Sequence, residues 1–220
     1  MNKISSISEC VDLIKTGSTL MVGGFMGIGA PETMIDALVK AGTNGLHLIS
    51  TDTATEVKGI GKMVVTKQFA SIKASHIGLN KETGRQLTSG ETEVELIPQG
   101  TLAERIRAGG AGLGGFLTPT GIGTIVEEGK KIMTVEGAKY ILELPLKADI
   151  AIVTGTKVDK AGNVFLSKTT RNFNPLMALA AEIVIVEARE IVEIGDIDPH
   201  LVMIPGTLVD YIVKGGATDE

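Results

Sequence analysis

A chain of 220 residues with 43% hydrophobic content can bury one full core, and its length suits a single domain over residues 1–220. Its net charge of −5, with lysines and arginines scattered among the acids, leaves no basic stripe to track a phosphate backbone and argues against nucleic acid as a partner. The lone Cys10 excludes an intrachain disulfide framework, and His47, His76 and His200 have no spacing that closes a metal site. No metal is expected, and a reducing cytoplasm fits.

The chain start lacks the apolar core and cleavage site of a signal peptide, and nowhere do eighteen apolar residues run together, so a soluble, unprocessed protein away from membranes is expected. Ser6 followed by Glu9 forms a capping box for a first helix carrying Ile7, Cys10, Val11 and Ile14, stopped by Gly17. Thr19 to Val22 reads as a buried strand. Pro31 opens a helix whose apolar face is Met34, Ile35, Leu38 and Val39, ended by Gly42. Leu46 to Ile49 is a second strand, Ile72 centres a third, and Val94 to Ile97 forms a buried fourth. Thr101 and Glu104 then box the helix TLAERIRAG.

Beyond a glycine-rich stretch, the apolar runs around Glu136 and Gly137 imply a hairpin. Ile150 to Val153 is strand, DKAGN a turn, Asn174 and Pro175 a helix start, and IVIVEA a further buried strand. Aromatics are only 3% of the chain, so Ile, Val, Leu, Ala and Met must build the core, which suits a sheet buried on both faces. The fold class is α/β: an open, mostly parallel sheet with helices on both faces and minor antiparallel additions.

The strand at Thr19 runs straight into GGFMGIGAP and then a helix, an arrangement that brings backbone N–H groups and a helix N-terminus to the carboxyl edge of the sheet, where anions bind. A tight turn needs fewer glycines than this, so a ligand is expected there. Asp52 stands near where a ribose-binding acid of a nicotinamide dinucleotide site would be. Gly24, Gly27 and Gly29, however, read G-x-x-G-x-G, the reverse of that fingerprint. A true G-x-G-x-x-G at Gly110, Gly112 and Gly115 follows a helix and precedes no helix, so its context is wrong.

TLMVGGFMGIGAP, LIPQGTLAERIRAGGAGLGGFLTPTGIGT and RNFNPLMALAA resemble segments of the class I CoA-transferases, in particular α (A) subunits of the acetate, acetoacetate and butyrate type, and the likeness runs from Ser8 to about Pro205. The resemblance implies a CoA-transferase-like fold and transfer of CoA between a short-chain acyl-CoA and a free carboxylate, with CoA as substrate and no cofactor. It implies CoA contacts at Gly23, Gly24, Phe25, Met26, Gly27, Ile28 and Gly29, and at the G-x-G-G-F run of Gly112, Gly114, Gly115 and Phe116. The family's nucleophile is a glutamate in an S-E-N-G type motif, and this chain has none. Glu128 and Glu136 stand near glycines in the wrong context. The resemblance therefore implies a β subunit that carries the glutamate, in an α2β2 assembly.

Gln99 follows the fourth strand at the edge where open α/β sheets keep their sites, and its amide can support catalysis by steadying an oxyanion or the partner's glutamate, or can merely cap the turn. Thr51 and Asp52 read as turn caps. The histidines, Arg105 and Arg107 are left outside the site, the two arginines as solvated helix cations. A sugar-phosphate isomerase-like enzyme of the same fold would need its own acid or base in this chain, and a non-catalytic CoA- or nucleotide-binding protein would need neither.

Overall fold

In the computed structural model, residues 3–216 are described. Ser6 and Glu9 exchange hydrogen bonds as a reciprocal capping box and open α1 (Ile7–Asp12). β1 (Thr19–Val22), α2 (Glu32–Ala41) and β2 (Leu46–Ile49) follow, with Gly42 closing α2 in the left-handed conformation. The chain continues through α3 (Gly61–Val65), β3 (Phe69–Ala74), α4 (Lys81–Ser89), β4 (Glu93–Leu96) and α5 (Gln99–Gly110). β5 (Phe116–Thr118), β6 (Ile132–Val135) and β7 (Ala138–Glu143) form a small antiparallel sheet. β8 (Ala148–Asp159), β9 (Val164–Phe165), α6 (Asn174–Leu179), β10 (Ala181–Val192) and β11 (Tyr211–Lys214) complete it.

The main sheet has the order β11-β10-β8-β1-β2-β3-β4, all parallel, with β9 antiparallel on β8. Strand residues alternate between its two faces. Met21, Ile49, Ala151 and Val153 pack with Leu102 and Ile106 of α5 and Met177 of α6. Leu20, Val22, Leu48, Ile150 and Ile152 pack on the other face with Cys10 of α1, Met34, Ile35 and Leu38 of α2, and Met63 of α3. Both faces are therefore covered, as an all-parallel set of strands requires. Burial pushes the Cys10 thiol up to about 11, which makes it a core hydrophobe rather than a reactive group. No helix among the described residues is long and apolar enough to cross a membrane.

Three readings need correction. β4 is an edge strand, half covered rather than buried, because no strand among the described residues pairs beyond it. α5 begins two residues before Thr101, directly after Pro98, so Thr101 is a buried residue inside the helix and Glu104 pairs with Arg107 instead of closing a capping box. Arg105 is also no solvated cation: its guanidinium bonds Glu95 Oε1 at 2.9 Å and the Leu144 carbonyl at 2.8 Å, and it faces Glu143 at 3.7 Å. Glu143 is 1% exposed and takes a second cation, Lys130, at 2.6 Å. This network fastens the small sheet to α5 and β4. The hairpin of that sheet turns at Glu136 and Gly137, both left-handed, as a two-residue connection requires.

Removing one partner of a buried ion pair strands the other charge. Arg105→Ala is expected to cost about 3–5 kcal/mol, read as a lowered denaturant midpoint, with proteolysis beginning in residues 116–143.

Candidate functional site

β1 stands where the winding of the sheet reverses: from it the chain goes one way through β2, β3 and β4, and from β8 the other way through β10 to β11. Loops leaving the two neighbouring strands at such a point diverge to opposite faces and open a crevice at the carboxyl edge. β1 ends at Val22, opposite Ile152, but β8 and β10 run on together to Asp159 and Val192 and raise a wall beyond the edge. The loop Gly23–Ala30 faces that wall.

The loop is held from both sides. Asp52, almost buried, accepts from Met26 N at 2.9 Å and from Ala54 N at 2.7 Å, and Thr51 Oγ1 donates to the Gly24 carbonyl at 2.7 Å. Asp52 caps its own turn at Ala54, whereas Thr51 makes no local cap and reaches across to the glycine loop instead; the turn that Asp52 holds at Met26 puts a non-glycine residue at φ 53°. On the other side lies Asn174, fully buried. Its Oδ1 accepts from Thr154 N at 3.1 Å, and its Nδ2 donates to the carbonyls of Gly29 at 3.1 Å and Thr170 at 2.8 Å.

These contacts explain two of the glycines. A Cβ on Gly23 would stand 1.8 Å from Asn174 Oδ1, and one on Gly29 would stand 2.8 Å from the Thr170 carbonyl oxygen. The close approach that the sequence implied is in these two cases made by the chain itself. Gly27 is crossed by the stem of Lys58, whose carbons would lie 2.7–2.9 Å from a Cβ there. The N–H groups of Gly27 and Gly29 donate to no described residue.

Between the loop and the wall lies an open cavity of about 470 Å³, within the range of small-molecule sites. Gly27 to Ala30, Thr154 to Thr156, the turn Lys168 to Thr170, Lys58 and Arg189 line it. Sequence reading missed Lys58, Lys168 and Arg189, because nothing in their spacing links them. Ile28 lines it too, and Phe25, Met26 and Val57, close in sequence to the lining residues Gly27 and Lys58, leave apolar side chains exposed by 38, 46 and 83%. The carboxylates nearby are engaged. Glu32 accepts from Gly59 N at 2.8 Å and pairs with Lys62 at 2.6 Å, and Asp52 holds two backbone donors. Among the described residues no group of three or more His, Cys, Asp or Glu could gather a metal ion.

Gln99 is the first residue of α5, exposed at the carboxyl edge, and its amide bonds no described residue, so it does not cap the turn. It stands three strand positions from β1, about 14 Å across the sheet. The second glycine run lies elsewhere. α6 starts with Asn174 against Gly23 and ends with Leu179 against Gly110, and Gly112 sits beside Lys147 and Ala181, at the amino ends of β8 and β10. Gly114 to Phe116 then lead into the small sheet, where Gly115 meets the Glu143 carbonyl. The chain does not bring its two glycine runs into one cavity. Glu128 lies in the connection of the small sheet and Glu136 at its hairpin tip, both exposed and outside the cavity.

Asn174→Ala leaves Thr154 N and two carbonyls without their partner and is expected to cost about 2–4 kcal/mol, a fall in Tm of roughly 4–15 °C for a chain of this size. Gly23→Ala, which forces a Cβ into that carboxamide, should be far less damaging in the Asn174→Ala background. A double-mutant cycle on Tm measures the coupling.

A family model described as Coenzyme A transferase matches residues 4–215. The chain is 49% identical over 211 residues to the acetate CoA-transferase subunit alpha of Escherichia coli K12, covering 96% of each. It is also 49% identical over 213 residues to the acetoacetyl-CoA:acetate/butyrate CoA transferase alpha subunit of Clostridium acetobutylicum, covering 97% of this chain and 98% of that one. Its fold superposes with a TM-score of 0.87 on an acyl-CoA transferase of Escherichia coli O157:H7 solved as a thioester complex with CoA, at 24% identity. The match takes in 97% of this chain and 47% of that one, so this chain spans about half its length. Taken with the glycine loop at the point where the sheet reverses, these matches place the chain in the coenzyme A transferase family.

Proposed function

We propose that this chain is the α subunit of a cytoplasmic enzyme that moves CoA between a short-chain acyl-CoA, such as acetyl-, acetoacetyl- or butyryl-CoA, and a free short-chain carboxylate. Its partner is a β subunit bearing the nucleophilic glutamate, in an α2β2 assembly, the closed symmetric form for two kinds of chain. One observation carries the division of labour: the cavity at the carboxyl edge contains backbone donors, cations and the apolar Ile28, while Glu32 and Asp52 beside it are already committed to N–H groups and Lys62. The isomerase-like and purely binding readings are set aside on the family match over residues 4–215.

The partner's carboxylate attacks the thioester carbonyl carbon, the C–S bond breaks, and CoA leaves as a thiolate with an acyl-glutamyl anhydride behind it. The thiolate then attacks the glutamyl carbonyl of the anhydride and releases the first acid, which leaves a glutamyl-CoA thioester. The second acid reverses both steps and takes the CoA. In this scheme the loop Gly23–Gly29 lies along CoA, its apolar side chains against the uncharged arm of the molecule, and the Gln99 amide donates to the oxyanion. Gly112, Gly114, Gly115 and Phe116, at the other end of the strands, take part in CoA contact through a site completed by a second subunit.

The complex purified with its partner, given acyl-CoA without acceptor acid, is expected to hold CoA covalently on the partner's glutamate. Hydroxylamine trapping and mass spectrometry of the separated subunits locate it. Gln99→Ala should slow formation of that thioester by roughly 10²-fold. Label on Glu128, Glu136 or any other residue of this chain, or full activity of this chain alone, would overturn the assignment.

A further inference from the structure

Gln99 stands at a helix start that has little of its own to hold it. The cap position of α5 is Pro98, which offers the first N–H groups no side-chain acceptor. Gly100 follows Gln99, and a glycine in the first turn gives up more backbone freedom than any other residue when the helix forms. β4, from which the chain arrives, is the edge of the sheet. The direction of the Gln99 side chain is therefore set by whatever fixes the body of α5.

Two kinds of contact do so. Leu102 and Ile106 are fully buried in the core on one face of the sheet, and apolar packing of this kind is non-directional. The directional contacts belong to Arg105. Its guanidinium donates to Glu95 Oε1 at 2.9 Å and to the Leu144 carbonyl at 2.8 Å, and its own carbonyl accepts from Leu146 N at 2.8 Å. Glu95 lies on β4 before Gln99 and Arg105 on α5 after it, so their bond closes the strand-to-helix turn as a clasp. The other carboxylate oxygen of Glu95 is held by Lys73 on β3, a strand paired on both sides, which ties the clasp to the interior of the sheet. Burial opposes the charge on Glu95, but Lys73 and Arg105 outweigh it and keep the carboxyl below the ordinary glutamate range. Bonds between ionised groups of this kind are short and directional.

Resting on the reading of the Gln99 amide as the oxyanion donor, we propose that Glu95 and Arg105 are positioning residues for the transfer reaction: their ion pair across the turn fixes where α5 starts and so where the Gln99 carboxamide points. A donor that stabilises an oxyanion must stand within a narrow distance of it. A displacement of about 1 Å can cost as much as roughly 10²-fold in rate. Both residues act through Gln99 and need no contact with the substrate.

The test is made on the complex with its partner, and it uses Glu95→Ala because Arg105→Ala disturbs the fold as well. In Glu95→Ala, Arg105 keeps the Leu144 carbonyl and Glu143. At a temperature where circular dichroism shows this variant folded, kcat is expected to fall about tenfold. KM for acetyl-CoA should stay nearly unchanged, the pattern of an interaction lost in the transition state alone. Formation of the glutamyl-CoA thioester should slow by the same factor as kcat. Glu95→Gln, whose amide oxygen still accepts from Arg105, should recover most of the rate. In the Gln99→Ala background, Glu95→Ala should add no further loss. An unchanged kcat in Glu95→Ala, a loss carried undiminished into the Gln99→Ala background, or a loss confined to KM would overturn the positioning role while leaving Gln99 in its own. A Gln99→Ala complex as fast as the wild type would overturn the reading of Gln99 and the positioning role with it.

Discussion

One buried carboxamide ties the site together. Asn174 joins the backbone of β8 at Thr154, the glycine loop at Gly29 and the turn at Thr170, three segments that meet only where the winding of the sheet reverses. A buried amide must satisfy its acceptor and its donors, and here each finds a backbone partner. The position of the loop relative to the wall is thereby set, and with it the width of the cavity. Gly23 and Gly29 are small because this arrangement leaves no room for a Cβ.

The sheet makes that arrangement possible. Parallel strands send all their carboxyl ends to one edge, and covering both faces with helices leaves that edge as the open place for a ligand. β8 and β10 use it by running past their neighbours, so Thr154, Thr156 and Arg189 stand beside a loop that leaves β1. Glu187 on β10 reaches across to α2 and accepts from Thr33 N and Met34 N. Burial lifts its carboxyl above the ordinary glutamate range, and those two N–H groups oppose the shift. The helix that follows the loop is therefore anchored to the same wall.

Polar groups at the edge work as fasteners. Thr51, Asp52 and Ser75 link the ends of neighbouring strands through their backbones, with Ser75 Oγ donating to the Thr51 carbonyl at 2.6 Å. Among the described residues, the Gly27 and Gly29 N–H groups, Lys58, Lys168 and the Gln99 amide at this edge have no partner within the chain.

Much of this was legible in the sequence because it is local. The capping box at Ser6, the strands at Thr19 and Leu46, the left-handed stop at Gly42 and the two-residue turn at Glu136 each depend on residues within a few positions of one another. α4 escaped because its buried residues include Thr83 and Gln86, which hydrogen bond inward and leave no apolar period to read. β4 looked buried because apolar pattern does not report whether a strand has a neighbour on its outer side. The glycine loop, its carboxyl-edge position and the missing glutamate motif were present in the sequence by itself, and so was the family. Only the tertiary structure decided that Asn174 lies against Gly23, that the second glycine run sits at the other end of the strands, and that Lys58, Lys168 and Arg189 share one cavity. Those are meetings between distant segments, set by strand order and by which groups must be satisfied in the interior, and chain periodicity carries no information about either.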